Sequence, residues 1–163
     1  MKVVVADTGA IISLVHVGQL GLIESIFGDY FIAEAVWQQL QVYDNPGFDR
    51  SVLKDIEKRV IKIKSTNHLS MVMDFGESES VILYDELKAD FLLIGDNKAR
   101  AIAESLNVKC IGSIGLLMQA KLNGSIVELR PIFQKWISSG RFFSKRLLNT
   151  VLTEIGENTL SDG

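Results

Sequence analysis

Two carboxylates in this sequence stand where an apolar segment ends and a helical pattern begins. Asp7 follows the apolar residues 3–6, and Asp96 follows the apolar residues 91–94 with only Gly95 between them. Short apolar runs of this kind are typical of buried strands. In open parallel sheets, ligands bind in the crevice outside the carboxyl ends of the strands. We therefore expect Asp7 and Asp96 to meet at one edge of a sheet.

Two further carboxylates open a helical pattern in the middle of the chain. Glu77 and Glu79 follow Gly76, and apolar residues then recur at helical spacing as far as Leu87. Residues two apart on a helix are separated by about 200° of rotation, so the two side chains point in different directions. We expect Glu77 to face the same site as the two aspartates. Glu79 is then expected to serve the helix end, with Gly76 as the N-cap residue.

A cluster of this composition is suited to Mg²⁺ or Mn²⁺, which take carboxylate, water and phosphate oxygens as ligands. Carboxylates that lie close together repel one another, so a cation stabilises them. Two such ions can stabilise the attacking and the leaving oxygen in phosphodiester hydrolysis. A simpler interpretation stays open for Asp7 and Asp96, because an aspartate in either place could merely cap the helix that follows it.

The composition limits the classes of function. The chain has 163 residues, of which 47% are apolar and 23% charged, as is usual for a soluble globular protein. Its net charge of −3 provides no general attraction for nucleic acid. The single Cys110 excludes an internal disulfide and a cysteine-rich zinc site. No apolar run approaches the roughly 20 residues of a membrane helix, and no secretory signal is present, so we expect a cytoplasmic protein without membrane contact.

Strand and helix patterns alternate along the chain, which predicts an α/β fold with a mainly parallel sheet of four to five strands flanked by helices. Strands are predicted at 3–6, 30–32, 60–63, 90–94 and 108–111. Helices are predicted at 10–18, 20–27, 33–42, 48–59, 65–73, 77–88, 98–106, 114–122, 125–138 and 145–156, with Ser113 capping the eighth. One domain is expected over residues 1–157, with 125–157 as its helical C-terminal part and 158–163 as a disordered tail.

Taken together, these segments resemble the PIN domain, the metal-dependent ribonuclease fold of VapC-type toxins, in a small prokaryotic subgroup of mostly uncharacterised members. The resemblance covers about residues 3–156. It is carried by the segments VVVADTGAIISL (3–14), FGESESVI (75–82), LIGDNKAR (93–100), GSIGLLMQAK (112–121) and EIGE (154–157), which occur in the expected order and spacing.

The resemblance implies a PIN-like three-layer fold and an acidic pocket that holds Mg²⁺ or Mn²⁺. Carried over position by position, the catalytic and metal-binding acids fall on Asp7, Glu77 and Asp96. Glu79 is a further candidate metal ligand, which could orient the water that attacks the RNA phosphorus. Thr8 stands beside the first acid as a hydroxyl partner.

The chain departs from the family pattern in two places. The family has an acid near the end of the helix after the second strand, where this chain has Gln39, and the subgroup often has two consecutive acids where this chain has Gly95 and Asp96. Gln39 can coordinate through its carbonyl oxygen but brings no charge. Lys98 and Arg100 follow Asp96 and could contact a substrate phosphate. They lie two apart on a helix, so only one is expected to face the cleft.

The function implied by the resemblance is that of a metal-dependent endoribonuclease, acting as the toxin of a toxin–antitoxin pair. The implied partners are an RNA substrate, an antitoxin protein and a second copy of the chain in a homodimer. The alternative is a catalytically degenerate PIN-like module that binds nucleic acid or protein. Two other classes are disfavoured: a haloacid-dehalogenase-like phosphatase needs a second aspartate where Gly9 stands, and a dinucleotide-binding fold needs Gly-x-Gly-x-x-Gly after the first strand.

Overall fold

A parallel sheet forms the centre of the molecule in a computed structural model, which describes residues 1–140 and 142–160. Five strands pair side by side, and every pairing between them is parallel. They are β1 (Lys2–Ala6), β2 (Gly28–Ala33), β3 (Val60–Ile61), β4 (Phe91–Leu93) and β5 (Cys110–Ile111). The α/β class and the parallel sheet are thereby confirmed.

Helices connect and cover the strands. They are α1 (Thr8–His16), α2 (Leu22–Ile26), α3 (Glu34–Val42), α4 (Leu53–Glu57), α5 (Phe75–Leu87), α6 (Asn97–Ser105), α7 (Ser113–Leu122), α8 (Arg130–Gly140) and α9 (Lys145–Glu154). Helix α5 packs against β1, β2 and β4 and also contacts α3, so it crosses the middle of the sheet. Helix α1 contacts α3, α7 and α8. Among the described residues, none of the helices combines the length and the apolar character that a membrane crossing needs.

The order of the strands places a crevice beside Asp7. Across the sheet the order is β3-β2-β1-β4-β5. The strands β2 and β3 therefore lie on one side of β1, and β4 and β5, which follow later in the chain, lie on the other. A reversal of this kind opens a crevice at the carboxyl ends of the two central strands. Ala6 pairs with Leu93, and the N–H of Asp7 donates to the carbonyl oxygen of Leu93 at 2.8 Å. Asp7 and the turn before Asp96 therefore leave the sheet side by side.

The C-terminal helices are anchored on α1 by Trp136. Its side chain is fully buried, and its Nε1–H donates to the carbonyl oxygen of Ser13 at 2.7 Å. Its ring lies 5.7 Å from the ring of Phe133 and 4.5 Å from that of Phe143, between centroids. Phe143, which precedes α9, thus acts as an apolar anchor for the joint between α8 and α9.

Two predicted helices differ from the structure. Residues 48–59 form only a short 3-10 helix, Arg50–Val52, and α4, because the Asp49 side chain accepts the N–H of Ser51 and begins a tight turn there. Residues 65–73 form turns instead of the predicted weak helix. The Asn67 side chain accepts the N–H of Leu69, a local bond that competes with helix formation.

The C-terminal helical part also differs in its boundaries. Helix α8 begins at Arg130 rather than at 125, because the Glu157 carboxylate accepts the N–H groups of Leu129 and Arg130 at 2.9 Å each. Glu157 also pairs with Lys121 Nζ at 2.5 Å. The tail was expected to be disordered from 158, but Leu160 is 4% exposed and its N–H donates to Asn149; residues 161–163 lie outside the described part of the chain.

The start of α7 corrects a smaller expectation. Gly112 is the N-cap residue, rather than Ser113. The Ser113 hydroxyl is buried and lies 2.7 Å from the hydroxyl of Ser13, so it joins α7 to α1. The side chain is therefore used between helices and not at the end of its own helix.

Replacing Trp136 by Phe should destabilise the protein by about 1–2 kcal/mol, since a buried hydrogen bond is lost while most of the ring packing is kept. Urea unfolding would measure the change. Trp37→Phe in the half-buried face of α3 is the matched control and should cost less. Equal losses for the two variants would contradict the anchoring role of the Trp136 indole N–H.

Candidate active site

Asp7 is a buried carboxylate without full hydrogen bonding. The residue is 4% exposed, and its Oδ1 atom has no hydrogen-bond partner. It occupies the N-cap position of α1 but makes no side-chain capping bond. The pKa of Asp7 is raised to about 7, chiefly by burial and further by the charges of Asp74 and Asp96. This value includes the opposing effect of the backbone N–H groups of Thr8 and Gly9, which lower the pKa. The simple capping interpretation therefore does not account for this residue.

Glu77 lies close to the same group of acids at the start of α5. Its pKa is raised to about 8, first by burial, then by a hydrogen bond and charge repulsion from Asp74, and then by the charges of Asp7 and Asp96. Asp74 and Asp96 act on Asp7 through their charges, and all three act on Glu77, so each of the four carboxylates takes part in at least one charge interaction with another. We call Asp7, Asp74, Glu77 and Asp96 the acidic cluster.

Asp74 is the member of the acidic cluster that sequence reasoning missed. It is the N-cap residue of α5, and its Oδ1 accepts the N–H of Glu77 at 2.7 Å. The helix thus begins at Phe75, which corrects the expectation that Gly76 is the N-cap. An aspartate three residues before a predicted site glutamate was the available signal, since that spacing is typical of an N-cap and its third residue.

Asp96 combines the two interpretations that its sequence left open. Its Oδ1 accepts the N–H of Ala99 at 2.8 Å, so it caps α6. The same side chain lines a cleft of about 270 Å³ together with Asp74 and Glu77. The rest of the lining is formed by residues 71–73 and by Lys98, Ala99 and Ile102. The Asp96 carboxylate therefore caps α6 and lines the cleft at the same time.

Glu79 is not brought to the acidic cluster. Its Oε1 accepts the N–H of Ala35 at 3.0 Å, in the first turn of α3, and it lines a different cavity. Glu79 thus serves a helix end, as expected of one of the two glutamates, but the helix is α3 and not its own. The structure provides no support for Glu79 as a metal ligand or as a residue that orients water.

Thr8 and Gln39 form a neutral pair beside Asp7. The Thr8 hydroxyl donates to the Gln39 side-chain oxygen, which links the start of α1 to α3. Gln39 also packs against α5 at Gly76, where a Cβ atom would stand 2.9 Å from Gln39 Cδ. A side chain at position 76 would therefore displace the end of the Gln39 side chain. Gln39, which stands where the resemblance places an acid, accepts one hydrogen bond through its side-chain oxygen.

Lys98 and Arg100 separate as their spacing predicts. Lys98 lines the acidic cleft. Arg100 instead pairs with Glu104 at 3.2 Å and lines another cavity, beside Gly112 and Phe143. Of these two basic residues, Lys98 is therefore the one that lies beside the acidic cluster.

The acidic cluster has the donor chemistry of a Mg²⁺ or Mn²⁺ site. Within residues 1–140 and 142–160, no group of three or more His, Cys, Asp or Glu side chains is placed to hold a metal ion as it stands. Magnesium, however, is usually held by one or two carboxylates, with waters and substrate phosphate as the other ligands. Asp7 Oδ1, buried and without a partner, is a hard oxygen donor of the required kind.

Comparisons with known proteins give one family. A family model described as PIN domain matches residues 3–157. No curated protein and no solved structure matches the chain. The matched range includes every member of the acidic cluster.

Replacing Asp7 by Asn should stabilise the metal-free protein at alkaline pH. The pKa of Asp7 is raised from 3.8 to about 7 on folding, so the folded state binds this proton more tightly than the unfolded state. Stability contributed by the protonated group is therefore present below about pH 4 and is lost as the pH rises to about 7. A change of this size corresponds to at most about 4 kcal/mol.

Urea unfolding in EDTA, at about pH 4 and about pH 8, would measure this effect. The gain of Asp7→Asn should be small at the lower pH and largest at the higher one. Asp29→Asn, an exposed position on β2, is the matched control and should show no such growth. If Asp7→Asn raised the free energy of unfolding equally at both pH values, the result would contradict a raised pKa of Asp7 in the folded protein.

Proposed function

The chain belongs to the PIN-domain family, whose members are generally nucleases, and on this premise we propose that it hydrolyses RNA phosphodiester bonds with Mg²⁺ or Mn²⁺. The observation that carries the proposal is the buried Asp7 carboxylate, whose Oδ1 has no partner and whose pKa is raised by burial and, in addition, by the charges of Asp74 and Asp96. A buried carboxylate is costly unless a cation or hydrogen bonds compensate it. PIN nucleases are generally dependent on divalent metal, which supplies that compensation.

Each residue of the site has a distinct role in the proposal. Asp7, Glu77 and Asp96 would hold the ion, one or two of them directly and the rest through its bound waters, because no three of them are placed to hold it as they stand. Asp74 adds negative charge and fixes the start of α5. When bound, the ion supplies positive charge to the attacking water and to the departing phosphate oxygen. Glu77, whose pKa is about 8 without metal, has to release its proton to bind the ion.

The other residues position the RNA and the acids. Lys98, on the wall of the cleft, contacts a phosphate beside the bond that is cut. The bond from Thr8 to Gln39 fixes the turn that follows Asp7. We assign no contact with the scissile phosphate to Arg100, because its guanidinium is paired with Glu104.

The proposal includes a biological setting. The protein acts in the cytoplasm as the toxin of a toxin–antitoxin pair, with an antitoxin protein and a second copy of the chain as partners. The support is the resemblance of segments 3–14, 75–82 and 93–100 to VapC-type toxins. The competing function is a binding module without catalysis, and its support is the absence of acids at Gln39 and Gly95.

Cleavage of a mixed pool of single-stranded RNA should depend on added Mn²⁺ and should be lost in Asp7→Asn and in Asp96→Asn. We expect a fall of at least about 100-fold, because even the outer-shell partners of metal ligands are worth 10–100-fold. Gel separation of labelled RNA would measure the rate. Asp29→Asn makes the same chemical change on β2, outside the acidic cluster, and should leave the rate unchanged.

Two outcomes decide between the nuclease and the binding module. Loss of cleavage in both site variants, with Asp29→Asn active, supports hydrolysis at the acidic cluster. The absence of any Mn²⁺-dependent difference between wild type and variants, over a range of substrates, would favour the binding module.

Replacing Gln39 by Glu should strengthen Mn²⁺ binding by several-fold, because it adds a negative charge beside Asp7 while keeping an oxygen that accepts from Thr8. Without metal, the same change should lower the melting temperature, since it adds repulsion to the acidic cluster. Thermal unfolding with and without Mn²⁺ would measure both effects. Gln38→Glu, one residue earlier and exposed, is the matched control. The prediction is wrong if Mn²⁺ stabilises Gln39→Glu no more than the wild type.

A further inference from the structure

A second cavity adjoins the acidic cleft across the first turn of α5. It has a volume of about 510 Å³ and lies between α3 and α5, and we call it the α3–α5 cavity. Asp74 and Glu77 line the cleft, whereas Phe75, between them in sequence, lines the α3–α5 cavity. Val42 and Glu34 also line it. A ligand extended across the start of α5 would therefore reach both places.

The borders of these two cavities carry exposed apolar side chains. Phe75 is 64% exposed and Val42 is 80% exposed, both at the α3–α5 cavity. Met71 and Val72, which line the acidic cleft, are 95% and 58% exposed. Large apolar side chains exposed together, beside polar groups, mark a surface that binds a partner or a ligand.

Single-stranded RNA, the substrate of the proposed function, is the ligand that the exposed aromatic ring favours. The chain carries a net charge of −3, and the cleft contains three carboxylates against Lys98, so phosphate attraction alone is weak. Affinity for RNA must then come from bound cations and from the bases. An exposed aromatic ring stacks on bases of any sequence and contributes strongly to single-strand binding.

Resting on the proposed function, we propose that the α3–α5 cavity receives the base of a nucleotide next to the scissile phosphate, with Phe75 as its stacking platform. Glu34 is assigned as the residue that selects the base. An ionised carboxylate only accepts hydrogen bonds. It therefore matches the exocyclic amino groups of adenine, cytosine and guanine, whereas uracil has no amino group and offers a carboxylate only its ring N3–H. Glu79 lines the same cavity but uses Oε1 to cap α3.

Binding of fluorescently labelled short homopolymers of A, C and U tests the proposal, measured by anisotropy in Mn²⁺. The parent is the full chain with Asp7→Asn, so that the RNA is not cut. Adding Phe75→Leu should weaken binding of all three by about tenfold, the effect of losing one stack, while Phe75→Trp should retain it. Adding Glu34→Gln should reduce the preference for A and C over U. Leu122→Ala, an exposed apolar position at the end of α7, is the matched control and should change nothing.

The outcomes separate this inference from the proposed function. Equal RNA affinity of Phe75→Leu and its parent would overturn the stacking platform, and so would failure of the parent to bind RNA. An unchanged base preference in Glu34→Gln would overturn the selection by Glu34. If the wild type cuts no RNA but Phe75→Leu still weakens RNA binding, the base cavity stands and only hydrolysis fails. If the wild type cuts RNA and adding Phe75→Leu to the Asp7→Asn parent leaves RNA binding unchanged, only the base cavity fails.

Discussion

The uncompensated carboxylate of Asp7 is the constraint on which the rest of this molecule depends. It stands at the carboxyl end of β1, which lies between β2 and β4 in the sheet. The order of the strands reverses at this point, since β2 and β3 lie on one side of β1, and β4 and β5 lie on the other. Its Oδ1 has no partner, and Asp74 and Asp96 add repulsion to the cost of burial. The packing of β1 does not require an acid there, because an apolar side chain would continue the buried run of valines. An unfavourable charge at such a place is typical of a functional site.

The first turn of α5 holds the site together around that charge. Asp74 fixes where the helix begins and places Glu77 in its first turn. Gly76 leaves space for the end of the Gln39 side chain, whose oxygen accepts from the Thr8 hydroxyl. These contacts join the turn after Asp7 to the start of α5 through α3. Despite the neutral Gln39, the acidic cluster has four carboxylates, because Asp74 joins the three that the sequence predicts.

The strands, and the places of Asp7 and Asp96 after the carboxyl ends of two of them, could be predicted because local patterns determine them. An apolar run followed by an aspartate identified β1 with Asp7 and β4 with Asp96, and the parallel sheet brought their carboxyl ends together. The side-chain direction of Glu79 could not be predicted, because it depends on the N–H of Ala35 in another helix. The predicted start of α8 was wrong because it, too, depends on a distant residue. Glu157, which accepts the N–H of Arg130, is 27 residues from it in the chain. Asp74 was missed because a helix cap and a site acid look alike in sequence.

The two departures from the family pattern differ physically. At Gly95 a Cβ atom would make only ordinary contacts, 3.8 Å from the N atom of Ala10, so packing does not forbid a side chain there. Gln39, in contrast, is built in: Thr8 donates to its oxygen, and Gly76 makes room for its amide. A glutamate at position 39 would keep the oxygen that accepts from Thr8, so these contacts fit an acid as well as an amide. The departure at position 39 therefore removes a charge and keeps an oxygen, and Asp74, whose charge acts on Asp7 and Glu77, adds a negative charge to the same cluster.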